Sequence, residues 1–214
     1  MMITQAFDLL RGMIAELRRD PVAATIGIVP LIALGIWGDL GGAGMMGLSF
    51  LATSVASFVL HYMLTRRAMR AGGLLSVDAP GDVSGLFLVN LVSNLGITLG
   101  FVLLIVPGIW LFARWFAAVP ILFAESKTPA EAMAASAART RPVLGPIILA
   151  VAIAYVPGVT ALVASIALPE DGSVSPGMSF AINFGLTISQ VAGWYIAIAT
   201  YRAVQPEPIE AVFA

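Results

Sequence analysis

Val83 to Ala124 reads VSGLFLVNLVSNLGITLGFVLLIVPGIWLFARWFAAVPILFA, and its first 31 residues, Val83 to Ala113, carry no charge. An α-helix rises about 1.5 Å per residue, so roughly 20 residues cross a hydrocarbon core of about 30 Å. The uncharged run, continued after Arg114 by Trp115 to Ala124, is too long for one crossing and must fold back. Val106-Pro107-Gly108 is the natural corner, because proline cannot extend a helix's hydrogen bonding and glycine accepts turn conformations. The stretch therefore predicts two spans, 84–105 and 107–124, in a tight hairpin with Pro107 and Gly108 at its bend.

Working outward, four more apolar runs of spanning length are present, at 21–38, 43–64, 143–168 and 180–202. Pro21 opens the first at a position where its missing N–H costs little. Val156-Pro157-Gly158 interrupts 143–168 and predicts a kink there. Ahead of the spans, Ile3, Phe7, Leu10, Ile14 and Leu17 alternate at spacings of four and three, with Asp8, Arg11, Glu16 and Arg18 on the other face. Residues 1–20 are expected to form an amphipathic helix in the membrane interface rather than a cleaved signal peptide, which would show a basic start and a shorter apolar core. The fold class is thus all-α: a polytopic transmembrane helical bundle of about six spans within 21–203, followed by a short tail, 204–214.

Composition agrees. Of 214 residues, 59% are hydrophobic and 11% charged, whereas water-soluble domains run at roughly 25% charged. With a formal net charge of -1 there is no basic field to hold a nucleic-acid backbone, and no nucleic-acid partner is expected. The chain has no cysteine and one histidine, His61. That excludes disulfides, thiol nucleophiles and Cys/His metal centres, so neither a metal nor another cofactor is expected. Arginine in place of lysine, with abundant Ala and Gly, points to a bacterial source.

Basic residues set the orientation. Arg11, Arg18 and Arg19 precede the first span; Arg66, Arg67 and Arg70 follow the second; Lys127, Arg139 and Arg141 follow the fourth; Arg202 follows the sixth. All ten fall on one side, opposite Asp39, Glu170 and Asp171. Both termini are expected in the cytoplasm, with the protein in the bacterial inner membrane. Between the fourth and fifth spans, Thr128-Pro129-Ala130-Glu131 has the form of a capping box opening an alanine-rich cytoplasmic helix to about Arg139.

Within the spans, Ala181, Gly185, Ser189, Gly193 and Ala197 repeat at intervals of four, and Gly96 and Gly100 form a second small pair. In lipid, small residues let helix backbones approach, so Gly96, Gly100, Gly185, Ser189 and Gly193 are read as packing positions, with Gly96 and Gly100 a partner surface for the other stripe. Asn183, Thr187, Gln190 and Trp194 share another face of the last span, and Asn90, Asn94 and Thr98 share one of the third. Two readings stand: a polar pathway or headgroup pocket lined by Asn90, Asn94, Asn183 and Gln190, or interhelical hydrogen-bond glue. Arg114, the one charge inside a span, is either an anchor that reaches the headgroup layer or a phosphate-binding site. His61, at the end of the second span, is read as interfacial or as a proton relay. Gly42-Ala43-Gly44-Met45-Met46-Gly47 matches GxGxxG but lacks the preceding strand that a dinucleotide site requires. Val-Pro recurs at residues 29, 106 and 156, a thin hint of duplicated broken helices. No carboxylate pair or nucleophile motif lies in the spans, and no enzymatic activity is expected.

Ile105 to Arg141, IVPGIWLFARWFAAVPILFAESKTPAEAMAASAARTR, resembles the membrane domain of the glycerophosphoryl diester phosphodiesterase membrane-domain superfamily, which includes YciC-like bacterial inner-membrane proteins. The resemblance rests on Pro107, Gly108, Ile109, Arg114, Pro120, Glu125, Ala132, Ser136, Arg139 and Arg141, about a sixth of the chain. Ala137-Ala138 depart from it, where that family has an aromatic and more basic residues. It covers the membrane part alone and implies no phosphodiesterase activity. What it implies is a membrane module handling envelope lipids or glycerophospho compounds, with membrane lipids and a second copy or an envelope protein as partners. The alternative is a small transporter or lipid translocase using Arg114 and the polar faces.

Overall fold

In the computed structural model, residues 2–76, 78–166 and 174–206 are described. They form α1 (Met2–Arg19), α2 (Pro21–Leu40), α3 (Ala43–Ala71), α4 (Val83–Leu103), α5 (Ile105–Trp115), α6 (Ala118–Glu125) and α7 (Pro129–Arg139). A 3-10 turn over Arg141–Val143 leads into α8 (Leu144–Ala154), α9 (Val156–Ile166) and α10 (Pro176–Val204). The described residues contain no strand, so the protein is all-α. Five segments are long and apolar enough to cross a membrane: α2, Gly47–Ala71 of α3, α4, α5 with α6, and α10. A sixth results if α7 and Arg141–Ala154, bent by 50°, count as one. Large apolar side chains on these helices point outward, among them Phe50, Leu51, Leu99 and Val102, as a bundle solvated by lipid requires. The expected outer connection holding Glu170 and Asp171, the end of the 143–168 run and most of the 204–214 tail lie outside the described residues.

The chain divides into two compact units. One comprises Met1–Gly12, Leu75–Ala150 and Ile196–Ala214. Its centre is the α4/α5 hairpin, and here the bend differs from the sequence expectation. The chain turns at Leu104, the one extended residue between the helices (φ -161°, ψ 140°), while Pro107 and Gly108 already lie in α5. The reason is that proline is well placed in a first helical turn, where its missing N–H has no partner to lose. Gly108 serves packing instead: a Cβ built on Gly100 would lie 2.8 Å from Gly108 Cα, and one on Gly96 would lie 2.6 Å from the Trp115 ring. So short a turn makes α4 and α5 nearest neighbours, and Gly96 and Gly100 face α5.

The 105–125 span is itself broken. Between α5 and α6, Phe116 and Ala117 leave the helix, and α7 closes the gap. Ser136 Oγ donates to the Arg114 carbonyl at 2.8 Å and accepts from the Ala117 N–H at 3.2 Å. Thr140 Oγ1 donates to the Ser136 carbonyl at 2.8 Å and lies 3.1 Å from that of Arg114. The predicted capping box is present, with Thr128 Oγ1 accepting from the Glu131 N–H and the Glu131 carboxylate accepting from the Thr128 N–H at 2.9 Å. Beyond that cap, α7 is no loose surface helix: Ala132, Ser136 and Thr140 are fully buried. Arg139 grips Glu125 at the end of α6 through its two terminal guanidinium nitrogens, and Lys127 adds a contact to the same carboxylate at 3.1 Å. In α1, Ala6 and Leu9 are buried while Ile3, Phe7 and Ile14 stay exposed. Leu10 and Leu17 of the apolar stripe are half-buried, and Glu16, expected on the polar face, is buried as well.

The other unit comprises Met13–Leu74 and Val151–Tyr195. Gly41 and Gly42 turn α2 into α3, Gly42 at φ 73° in the left-handed region that favours glycine. Pro30 sits inside α2, whereas Pro157, like Pro107, lies in the first turn of its helix. The break expected at Val156-Pro157-Gly158 falls at Tyr155, between α8 and α9. Along α10, Ser189 Oγ donates to the Ala154 carbonyl at 3.2 Å and accepts from the Gly158 N–H at 2.8 Å. A Cβ on Gly185 would meet the Pro157 carbonyl oxygen at 2.7 Å, and one on Gly193 would meet Tyr155 Oη at 2.6 Å. The small stripe of α10 thus packs on α9 and the residue that precedes it.

Candidate functional site

The Pro21 end of α2 and the Ala71 end of α3 enclose a groove of about 340 Å³, within the range of small-ligand sites, roughly 300–1,000 Å³. Three arginines, Arg66, Arg67 and Arg70, line it on α3 beside Tyr62, and Leu60, Met63 and Leu64 of α3 face it with Ala23 and Ile26 of α2. Helical spacing builds it: Tyr62, Arg66 and Arg70 stand at intervals of four and so form one row. Basic residues in a helix's last turns are also favoured by the helix dipole.

Each guanidinium has a different setting. Arg66 is 6% exposed, donates to Tyr62 Oη at 3.2 Å and lies 5.4 Å from the centre of that ring. Arg67 is paired with Asp20 through Nε and Nη2. Asp20 is itself the N-cap of α2, accepting from the Ala23 N–H at 3.1 Å. The hydrogen bond from Arg67, aided by that cap and by the guanidinium's charge, holds the Asp20 carboxyl below the usual carboxylate value, against the opposing effect of burial. Arg70 is exposed and makes no ion pair among the described residues. Cations above an apolar trough suit a ligand with an anionic, hydrogen-bond-accepting head and an aliphatic body.

The residues singled out from the sequence are distributed over both compact units. Asn90, Asn94 and Arg114 belong to one unit, Asn183 and Gln190 to the other. Asn183 donates to Asp39 Oδ2 and to the Ser179 carbonyl, at 2.7 and 2.9 Å. Gln190 donates to Ser57 Oγ at 2.5 Å. Both amides thus donate to side chains on other helices, α2 and α3. Asn94 is exposed on α4 and Asn90 half-buried. Arg114 rests on the Trp110 ring, 4.6 Å from its centre, while its carbonyl takes the Ser136 bond. His61 stacks on Trp194, with ring centres 4.8 Å apart and planes within 6°. Among the described residues no group of three or more acidic or histidine side chains is placed to hold a metal.

Sequence reasoning used Arg66, Arg67 and Arg70 only to orient the chain. The signal that marks them as a site was the Tyr62-Arg66-Arg70 spacing, together with Asp20 at the adjoining helix start. Comparison with protein-family models, curated proteins and solved structures gives no match to this chain.

Proposed function

We propose that this chain is a non-enzymatic integral protein of the bacterial inner membrane, with cytoplasmic termini, whose α2/α3 groove holds the phosphate of an anionic glycerophospholipid. In that role it is an accessory to envelope lipid homeostasis. The observation that carries the reading is the groove itself, with Arg66 and Arg70 beside Tyr62 and an apolar floor of Leu60, Met63 and Ile26. A phosphodiester matches the planar donor array of arginine, and acyl chains match the floor. Two further features support it. The groove's arginines form one of the basic clusters that are expected on the cytoplasmic side, the side that carries anionic lipids. The 105–141 stretch, whose resemblance is to the membrane part of the phosphodiesterase membrane-domain superfamily, comprises α5, α6 and α7, joined by the Ser136 and Glu125–Arg139 contacts, and that resemblance supports a role with glycerophospho compounds.

The test is native mass spectrometry of protein purified in mild detergent and exposed to an equal mixture of phosphatidylglycerol and phosphatidylcholine. Wild type retains phosphatidylglycerol in excess; Arg70→Ala, and more strongly Arg66→Gln with Arg70→Ala, removes the excess, and Arg114→Ala leaves it unchanged. Equal retention of the two lipids by wild type overturns the proposal.

A further inference from the structure

Ser49, Thr53, Ser57, His61 and Thr65 stand at strict intervals of four along α3, so five groups that both accept and donate hydrogen bonds form one ridge. The ridge rises about 24 Å, most of a hydrocarbon core of about 30 Å, inside the segment Gly47–Ala71 that is apolar enough to cross a membrane. Such a ridge winds slowly round its helix, so its start faces α2 and its middle faces α10. Ser49 lies against Gly38 of α2, next to Asp39, whose carboxylate accepts from Ser179 Oγ and from the Asn183 amide of α10, both at 2.7 Å. Further along, Ser57 Oγ accepts from Gln190, and His61 stacks on Trp194. At the far end Tyr195, the neighbour of Trp194, lies within the electrostatic reach of Asp20, Arg67 and Glu16. Carboxylates thus stand near both ends, and all these residues belong to the same unit. We propose that this seam conducts protons from one face of the membrane to the other, with His61 as its titratable relay.

The physical basis is the spacing and the chemistry of the ridge. Four residues of helix rise about 6 Å, the reach of one bridging water that makes two hydrogen bonds of about 2.8 Å. Hydroxyl, water and imidazole each take a proton on one side and release one on the other, which an amide does not. Gln190 therefore orients rather than relays: by donating to Ser57 Oγ it leaves the Ser57 hydroxyl hydrogen for another acceptor. Histidine is the side chain whose ordinary charge change lies between pH 5 and 8, which suits it to shuttle protons. The face-to-face stack keeps both ring nitrogens of His61, at the ring edge, clear of Trp194. A proton taken up on one nitrogen leaves from the other, and the ring is restored by turning over or by returning the tautomer. Thr65 and Tyr195 separate this reading from simple bonding between helices. Both are 1% exposed, and neither hydroxyl has a hydrogen-bond partner among the described residues, although buried polar groups are as a rule paired. Bonding between helices would have paired them; a file of bridging waters does so along the path.

The experiment uses the full chain in phosphatidylcholine vesicles that trap potassium and the pH dye pyranine. Adding valinomycin lets potassium leave, makes the interior negative and draws protons in wherever a path exists. Wild type should acidify the interior faster than protein-free vesicles do. His61→Phe keeps a flat ring on Trp194 and removes both ring nitrogens, and its flux should fall to the protein-free level. Thr65→Val removes a hydroxyl at nearly constant volume; it should lower the flux as well, and it carries the test if His61→Phe does not fold. Ser54→Ala should keep the wild-type flux, because Ser54 is exposed on another face of α3 and bonds to the Phe50 carbonyl of its own helix. Wild-type flux no greater than that of protein-free vesicles overturns the proposal. So does equal flux in wild type and a folded His61→Phe or Thr65→Val, or an equal loss in Ser54→Ala. These vesicles hold no anionic lipid, so none of these results bears on the groove as a lipid site.

Discussion

Ser136 Oγ stands 2.8 Å from the carbonyl oxygen of Arg114, at the point where the 105–125 span loses its helix. The same hydroxyl receives the Ala117 N–H, so one side chain occupies both backbone groups that the break has freed. Ser189 repeats the arrangement in the other unit, taking the Gly158 N–H and giving to the Ala154 carbonyl. In a membrane interior, where no bulk water can satisfy a broken helix, a hydroxyl on a packed neighbour is the economical partner.

Ser136→Ala and Ser189→Ala should each destabilise the protein by about 0.5–2 kcal/mol, the range for polar contacts between membrane helices. Equilibrium unfolding in mixed micelles reads this directly. Because the two serines lie in different units, the double variant should show the sum of the single effects. A strong departure from additivity would mean that the breaks are not independent.

Glycines separate in the same assay. Gly185→Ala places its methyl 2.7 Å from the backbone oxygen of Pro157, and backbone cannot swing aside; it should lower folded yield and midpoint clearly. Gly47→Ala meets nothing within 4 Å and should be neutral, or stabilise by up to about 1 kcal/mol through helix propensity. Equal loss for both would remove close packing as the reason for Gly185.

How much of this the sequence disclosed depends on what each signal encodes. Charge-free length marks a crossing, and the crossing lengths at 21–38 and 180–202 fall within helices α2 and α10. It does not encode where a hairpin turns, since Pro107 is compatible with either a corner or a first helical turn; packing of Gly100 on Gly108 selects the latter. The burial of α7 was illegible because an alanine-rich helix with a polar edge reads as surface, and only the broken span beside it gives Ser136 and Thr140 a use. The groove was hidden for another reason. Arginines at a span's end are common enough to serve as topology marks, and their convergence on Ala23 and Ile26 depends on how α2 lies on α3.

Glu125 and Arg139 offer a double-mutant cycle. Their two-nitrogen, two-oxygen pairing links the end of α6 to the end of α7. Glu125→Gln and Arg139→Gln should each destabilise, and the pair together should cost less than the sum, with a coupling of about 0.5–3 kcal/mol. Additive effects would reduce the pairing to an incidental surface contact.

Acid sensitivity has a predicted sign. The Arg67 bond lowers the Asp20 carboxyl below its ordinary value of 3.8. A lowered folded-state value means that Asp20 stabilises the native protein fully above the unfolded value, and that this contribution fades as pH falls through the folded one. Asp20→Asn should therefore be less stable than wild type at neutral pH, and the gap should close below about pH 4. Tryptophan fluorescence against denaturing detergent at several pH values measures it; a gap independent of pH removes the ion pair as its source.

Orientation is testable with unusual cleanliness because the chain contains no cysteine. Ala71→Cys lies on an exposed position at the arginine end of α3, and Gly44→Cys, whose added Cβ meets nothing within 4 Å, lies at its other end. In right-side-out spheroplasts a membrane-impermeant maleimide should label Gly44→Cys and spare Ala71→Cys until the membrane is opened. The reverse pattern would place the groove on the outer leaflet, and with it the ten loop cations against the charge bias that governs insertion. Labelling of both positions in intact cells would instead show that α3 does not cross the bilayer, which its 25-residue apolar segment from Gly47 to Ala71 argues against.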